Sequence, residues 1–229
     1  ATQEDLIKMN NLSAAIYMTA QGIPFVHAGE EMLRTKLNPD GSFNENSYNA
    51  TDEVNQIKWD TLEDEVYADV VDYYKGLIAF RKAHPVLRLT TAEDVANHVA
   101  VVDMAEPNVT AFHLTGGLEG ETADAMYIVF NPNKEAKEIE LPEGEWNICI
   151  NGEDAGTESL GKASDKVTVE AVSALVLVQG ENAVSAGADG GLANGSSANG
   201  VGGIGAAAAV LGVAAVGAGA YLFKKKKEK

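Results

Sequence analysis

The chain has 229 residues, 45% of them apolar, which is enough to bury a sizeable core in one or two domains. Its 34 acidic residues outweigh 17 basic ones; taking away the five lysines and one glutamate of residues 224–229 leaves 12 basic against 33 acidic, or −21. So acidic a body repels phosphate backbones, which excludes nucleic acid as a partner, and the single cysteine, Cys149, excludes an intrachain disulfide or a cysteine-based metal site.

In chain order, Leu6, Met9, Leu12, Ala15 and Ile16 recur at helical spacing, which predicts a helix over about 4–20. Gly22-Ile-Pro24 then leads into the apolar run Phe25-Val-His-Ala28, read as one buried strand. Residues 29–62 are rich in Asn, Asp and Gly and read as a long loop of the kind that carries function. Val66, Val70, Tyr73, Leu77 and Phe80 alternate in steps of four and three, predicting a helix to His84 that Pro85 stops. Tyr73, Tyr74 and Phe80 are expected in its core face. A helix, one strand, a loop and a helix form part of an α/β domain, since a parallel strand needs neighbours on both edges. The chain is therefore expected to be the C-terminal piece of a longer protein.

From about 90 to 180 the texture changes. Short β-rich runs at 99–104, 109–115, 126–131, 138–141, 145–150, 166–170 and 174–179 are separated by turn signals such as Asn131-Pro-Asn133 and Asn151-Gly152, which predicts an antiparallel sandwich with Trp146 in its core. Residues 181–200 are Gly, Ala, Ser and Asn and read as a flexible linker. Residues 201–223 carry no charge; as a helix they would rise ~34 Å, against a bilayer core of about 30 Å. Lys224 to Lys227 follow at once, as a cytoplasmic end requires. The expected organisation is thus 1–88 an α/β unit, 89–180 a β-sandwich, 181–200 a linker and 201–229 a transmembrane anchor with a Lys-rich tail.

Gly22-Ile-Pro-Phe-Val-His-Ala-Gly-Glu-Glu31 resembles the eighth-strand motif of the α-amylase family of glycoside hydrolases. Met32-Leu-Arg-Thr-Lys36, Asn46-Ser-Tyr-Asn49, Val54-Asn-Gln-Ile-Lys-Trp59 and Tyr74-Lys-Gly-Leu-Ile-Ala-Phe-Arg-Lys-Ala-His-Pro85 resemble type I pullulanases more closely, as do Asn131-Pro-Asn-Lys-Glu-Ala136, Ala155-Gly-Thr-Glu-Ser-Leu160 and Ser173-Ala-Leu-Val-Leu-Val-Gln179. The resemblance covers about residues 1–180. It implies the C-terminal end of a (β/α)₈ barrel followed by an antiparallel β-sandwich, so the fold class is α/β plus all-β. It also implies a retaining hydrolase of α-1,6 bonds in pullulan, amylopectin or limit dextrins and a branched α-glucan substrate; with the uncharged span 201–223, which the resemblance does not cover, the expected position is extracellular, anchored at a bacterial cell surface.

Retaining hydrolysis uses two carboxylates about 5 Å apart. By the resemblance these, and a third Asp that follows a His, would precede Ala1. The four histidines, His27, His84, His98 and His113, are followed by Ala, Pro, Val and Leu, never by Asp. No residue here is assigned as catalytic, and the chain alone is expected to be inactive. In barrel enzymes the site lies in the loops after the strands, so substrate-binding candidates are Glu31, Arg34, Asn46, Tyr48 and Asn49. By the resemblance Glu31 lies beneath the site and orients charged groups. Arg34 has a fixed fork of donors, Tyr48 a flat face and a hydroxyl, and the two asparagines paired donors and acceptors. The alternative for each is to hold the loop's own backbone. Lys36 is read as solvated, His27 as a wall residue and Trp59 as a packing residue. No cofactor is expected; calcium sites occur in the family, but no Asp/Asn cluster here assigns one. Two other readings stay open: a non-catalytic module displayed on the membrane that binds glycan or is purely structural, and another α-amylase-family enzyme such as an amylase or branching enzyme.

Overall fold

The computed structural model describes residues 1–180, all within one compact unit. The expected linker at 181–200 and the span at 201–223 lie outside the described residues. Among the described residues no helix is long and apolar enough to cross a membrane.

Helix α1 (Gln3–Thr19) starts at a reciprocal cap: Thr2 Oγ1 accepts from the Asp5 amide at 3.1 Å, and Asp5 Oδ2 accepts from the Thr2 amide at 2.8 Å. It buries Leu12, Ala14, Ala15 and Met18. The short α2 (Asp52–Asn55) lies inside the polar stretch, flanked by 3₁₀ turns at Glu30–Met32 and Trp59–Glu63. Helix α3 (Glu65–Ala83) is capped by the Asp64 carboxylate and buries Val70, Tyr73, Tyr74, Leu77 and Phe80, as the spacing predicts. A further helix, α4 (Ala92–His98), begins at Thr91, whose hydroxyl accepts from the Asp94 amide at 3.0 Å. The sequence reading expects only β texture there.

Residues 25–28 are a correction. Residues 25–27 form no helix or strand, Ala28 begins a turn, none of them pairs with a strand among the described residues, and Ile23 and Phe25 are 98% and 88% exposed. The apolar run meets the side-chain requirement of a buried strand, but a strand also needs backbone partners, and the described residues offer none alongside.

The eight strands are β1 (Val99–Val102), β2 (Thr110–Thr115), β3 (Ala123–Asn131), β4 (Lys137–Glu140), β5 (Trp146–Ile150), β6 (Gly161–Ala163), β7 (Lys166–Val169) and β8 (Ser173–Gly180). Seven of them match the expected runs. The three-residue β6 has no alternation long enough to be read. Six strands form one antiparallel sheet in the order β1-β2-β3-β8-β5-β6, and β4 pairs with β7 in a second. On β3, Met126, Ile128 and Phe130 join a core shared with α1 and α3, while Ala125, Tyr127 and Val129 join a core with Ile139 of β4, Val169 of β7 and Trp146. The sandwich is therefore unequal: the small sheet covers one face of the large one, and the helix pair covers the other.

Three close joints fix the helices to each other and to the sheet. Gly76 brings α3 flush against the 150–156 loop, where a Cβ would overlap the Ala155 carbonyl, and nearby Tyr73 donates its hydroxyl to the Asn151 carbonyl at 2.9 Å. Arg81, buried on α3, donates to the carbonyls of Met18, Ala20 and Gly22 at 2.7, 2.7 and 2.5 Å. Helix α1 has no basic residue in its own last turn, so Arg81 supplies the positive charge that its C-terminal carbonyls favour. His84 Nδ1 lies 2.7 Å from Glu121 Oε1, both side chains fully buried, and the carboxylate also accepts from the amides of Ala123 and Val86 at 3.0 and 3.1 Å. Burial opposes charge on Glu121, but these three hydrogen bonds outweigh it and hold the carboxyl below its ordinary value.

Two outcomes follow from these joints. Gly76→Ala is expected to lower unfolding stability by about 2 kcal/mol despite the better helix propensity of Ala, because the methyl meets backbone. A urea midpoint equal to the wild type would show that α3 does not rest on that loop. Glu121 has a depressed folded value, so its contribution is complete above the ordinary value of 4.5 and is lost as pH falls through the folded one. Glu121→Gln is expected to cost ~1–3 kcal/mol at neutral pH and to flatten the acid limb of a stability–pH curve. An acid limb as steep as that of the wild type would remove Glu121 as its cause.

Candidate functional site

The 29–62 segment is strung between α1 and α3, and its first residues are tied to both. Gly29 has φ 94°, and a Cβ there would overlap the Arg34 stem, so the chain turns tightly enough for Arg34 to fold back over it. In the 3₁₀ turn that follows, Glu30 Oε1 accepts from the hydroxyl of Tyr17 on α1 and from that of Tyr74 on α3, the latter at 3.4 Å. Its Oε2 accepts from the His27 amide at 3.2 Å. Burial, then the bond to Glu30, pushes the Tyr17 hydroxyl far above its ordinary value, and burial raises Tyr74 against the opposing pull of its bond with Tyr17. Both phenols therefore stay neutral and donate.

Of the expected site residues, Glu31 is half-buried, and its Oε2 accepts from the Gly29 amide at 2.9 Å. Arg34 directs Nη1 to the Ala28 carbonyl at 2.9 Å and Nη2 to the Asn55 carbonyl, and its Nε is buried without a hydrogen-bond partner. With its fork on the backbone, Arg34 joins the start of the segment to α2. It also lines, with Lys58, Gln56 and Tyr67, a cleft of about 160 Å³. Asn46, Tyr48 and Asn49 come together on one exposed bend: Asn46 Oδ1 accepts from the Tyr48 amide at 3.4 Å, and Tyr48 is 94% exposed. Lys36 is not simply solvated, since its Nζ donates to Ser47 Oγ at 2.8 Å. Trp59, expected to pack, is 66% exposed, and His27 is exposed as well. The residue that sequence reasoning missed is Asn55, which donates to the Ser47 and Ala50 carbonyls. It stands in the Val54–Trp59 motif, but an asparagine in a polar loop carries no signal of its partners.

A larger groove of about 730 Å³ lies elsewhere, between the end of β1 and β4. Two of its carboxylates are engaged by lysines, Glu106 by Lys137 at 3.3 Å and Glu138 by Lys166 at 3.0 Å, and it presents no exposed aromatic face. Among the described residues no group of three or more His, Cys, Asp or Glu side chains is placed to hold a metal ion.

Residues 95–154, from within α4 through β5 to the bend after it, match the family model "Pullulanase, all-beta domain". A pullulanase of Bacillus subtilis strain 168 is 35% identical over 131 residues, which is 57% of this chain and 17% of that protein. The solved pullulanase of Bacillus acidopullulyticus is 38% identical with a TM-score of 0.72, over 78% of this chain and 21% of that one. The pullulanase of Paenibacillus barengoltzii, solved with maltohexaose and α-cyclodextrin, is 36% identical with a TM-score of 0.65, over 79% of this chain and 26% of that one. The chain thus spans about a quarter or less of the length of these relatives. Fold and sequence together bear out the resemblance carried by the motifs: over about four fifths of its length the chain is similar to pullulanases, with their all-beta domain at residues 95–154.

Proposed function

We propose that this chain supplies part of the sugar-facing wall, and the supporting β-domain, of a debranching glycosidase that cleaves α-1,6-glucosidic bonds in pullulan, amylopectin or limit dextrins with retention. The observation that carries the reading is the exposed Asn46–Asn49 bend, tied through Asn55 to Arg34 within a segment anchored to two helices. A flat phenol ring flanked by two carboxamides suits an α-glucan, whose rings present apolar faces and whose rims present hydroxyls. The maltohexaose bound by the Paenibacillus relative is a ligand of this class.

In this reading residues 1–88 belong to the catalytic barrel and 89–180 to the C-terminal β-domain. The exposed side chains of Ile23 and Phe25 suit a strand that pairs with parallel neighbours of a barrel. The paired carboxylates that the chemistry needs are not assigned to any residue here, so the chain's own part is to bind and orient sugar. The uncharged run 201–223 and the lysines after it support anchoring in the plasma membrane of a bacterium with the enzyme outside the cell. A second reading, a non-catalytic module displayed at the surface, is favoured by the one core that unites α1, α3 and the sheet.

Two measurements test the part assigned to this chain. The purified 229-residue chain is expected to release no reducing sugar from pullulan, and turnover would overturn the assignment of catalysis to residues other than these. Tyr48→Ala is expected to weaken binding of maltohexaose about tenfold without moving the urea midpoint, because Tyr48 supports nothing else in the fold. Unchanged affinity would remove Tyr48 from the sugar-facing surface.

A further inference from the structure

One side chain reaches the backbone on both sides of the exposed pair Tyr48 and Asn49. Asn55 Nδ2 donates to the Ser47 carbonyl at 2.8 Å and to the Ala50 carbonyl at 3.2 Å. The Ala50 amide also donates to the Ser47 carbonyl at 3.1 Å, which closes a four-residue turn with Tyr48 and Asn49 at its centre. Asn55 is itself held: its amide donates to the Thr51 carbonyl at 3.1 Å, and its carbonyl accepts from Arg34 Nη2. Lys36 Nζ steadies the same turn through Ser47 Oγ. A chain of contacts therefore runs from the helix pair through Glu30, Gly29 and Arg34 to Asn55, and from Asn55 to the turn.

The Tyr48 ring has almost no protein surface against it, so its packing cannot set its position. The backbone of residues 47–50 must set it, and the carboxamide of Asn55 binds that backbone at both ends. We propose that Asn55 is a positioning residue for glucan binding, its Nδ2 holding the 47–50 turn in the shape that presents Tyr48 and Asn49 to sugar. The inference rests on the glucan-binding reading above. Holding the turn before sugar arrives removes an ordering cost that binding would otherwise meet. A carboxamide suits the task because one NH₂ offers two donors, whereas the isosteric carboxylate of aspartate would turn lone pairs toward both carbonyls.

The test uses the 229-residue chain with Asn55→Asp and Asn55→Ala, each alone and combined with Tyr48→Ala. Hydrogen exchange at the Ala50 amide is expected to rise about tenfold in both variants, with α3 unchanged. Maltohexaose affinity is expected to fall about as far as in Tyr48→Ala, and the Asn55 change is expected to cost nothing further once Tyr48 is gone. A purely structural role would not produce that dependence on Tyr48. Unchanged exchange at Ala50 overturns the role of Asn55, as does a loss of affinity that persists undiminished in the Tyr48→Ala background. A wild-type chain with no affinity for maltohexaose overturns the glucan reading itself and the positioning role with it, while the exchange data still report whether Asn55 holds the turn.

Discussion

Strands β3 and β8 are apolar on both faces, and leaving either face in water would forfeit about 1.5–3 kcal/mol for each large side chain. One face carries Tyr127, Val129, Leu175 and Leu177 and is closed by Trp146 and the small β4–β7 sheet. The other carries Met126, Ile128, Val176 and Val178, and it is closed by α1 and α3. That second closure decides where everything in the N-terminal part can go. The helices sit on the sheet by apolar contact, and the segment between them inherits its position from theirs.

Apolar contact alone would let two helices slide, and polar groups placed in the seam prevent it. Arg81 gathers the three carbonyls at the end of α1, a geometry that only one register of the helix pair satisfies. Burial lowers the affinity of that guanidinium for its proton, with Arg88 adding to the effect, but arginine has ample margin to remain charged. His84 and Glu121 do the same between the end of α3 and the β2–β3 connection. Breaking such a buried pair costs more than forming it gains, so its service is to fix one arrangement.

The candidate site is built by a different kind of interaction. Within 29–62 only Gly29, Met32 and Val54 are buried, too few to shape the segment by packing. Its form comes from side chains that bind backbone carbonyls, Arg34 on Ala28 and Asn55, and Asn55 on Ser47 and Ala50. Polar ties leave ring faces and amides free at the surface, where a polar ligand can meet them. The groove between the end of β1 and β4 shows the contrast, since Glu106 and Glu138 there are paired with lysines of the protein itself.

Helical spacing determined α1 and α3, Pro85 the stop of α3, and β-rich runs between turn signals seven of the eight strands, because burial selects apolar residues and leaves a period or a run in the sequence. The motifs determined the family resemblance, and the polar texture marked the segment that carries the candidate site. Tertiary structure decided what pattern does not encode. Residues 25–28 have the composition of a strand but find no strand partner among the described residues. Helix α4 and strand β6 are too short to leave a period, although the Thr91–Asp94 cap was visible. Trp59 lies in the open, and Arg34 spends its fork on carbonyls. The partners of Arg34, Asn55 and Glu30 lie 3 to 44 residues away along the chain, a pairing of donors with acceptors that no local spacing specifies. Side-chain burial is written in residue type and repeats along an element, whereas a hydrogen bond to backbone can be accepted by any residue, so only the folded chain selects which one.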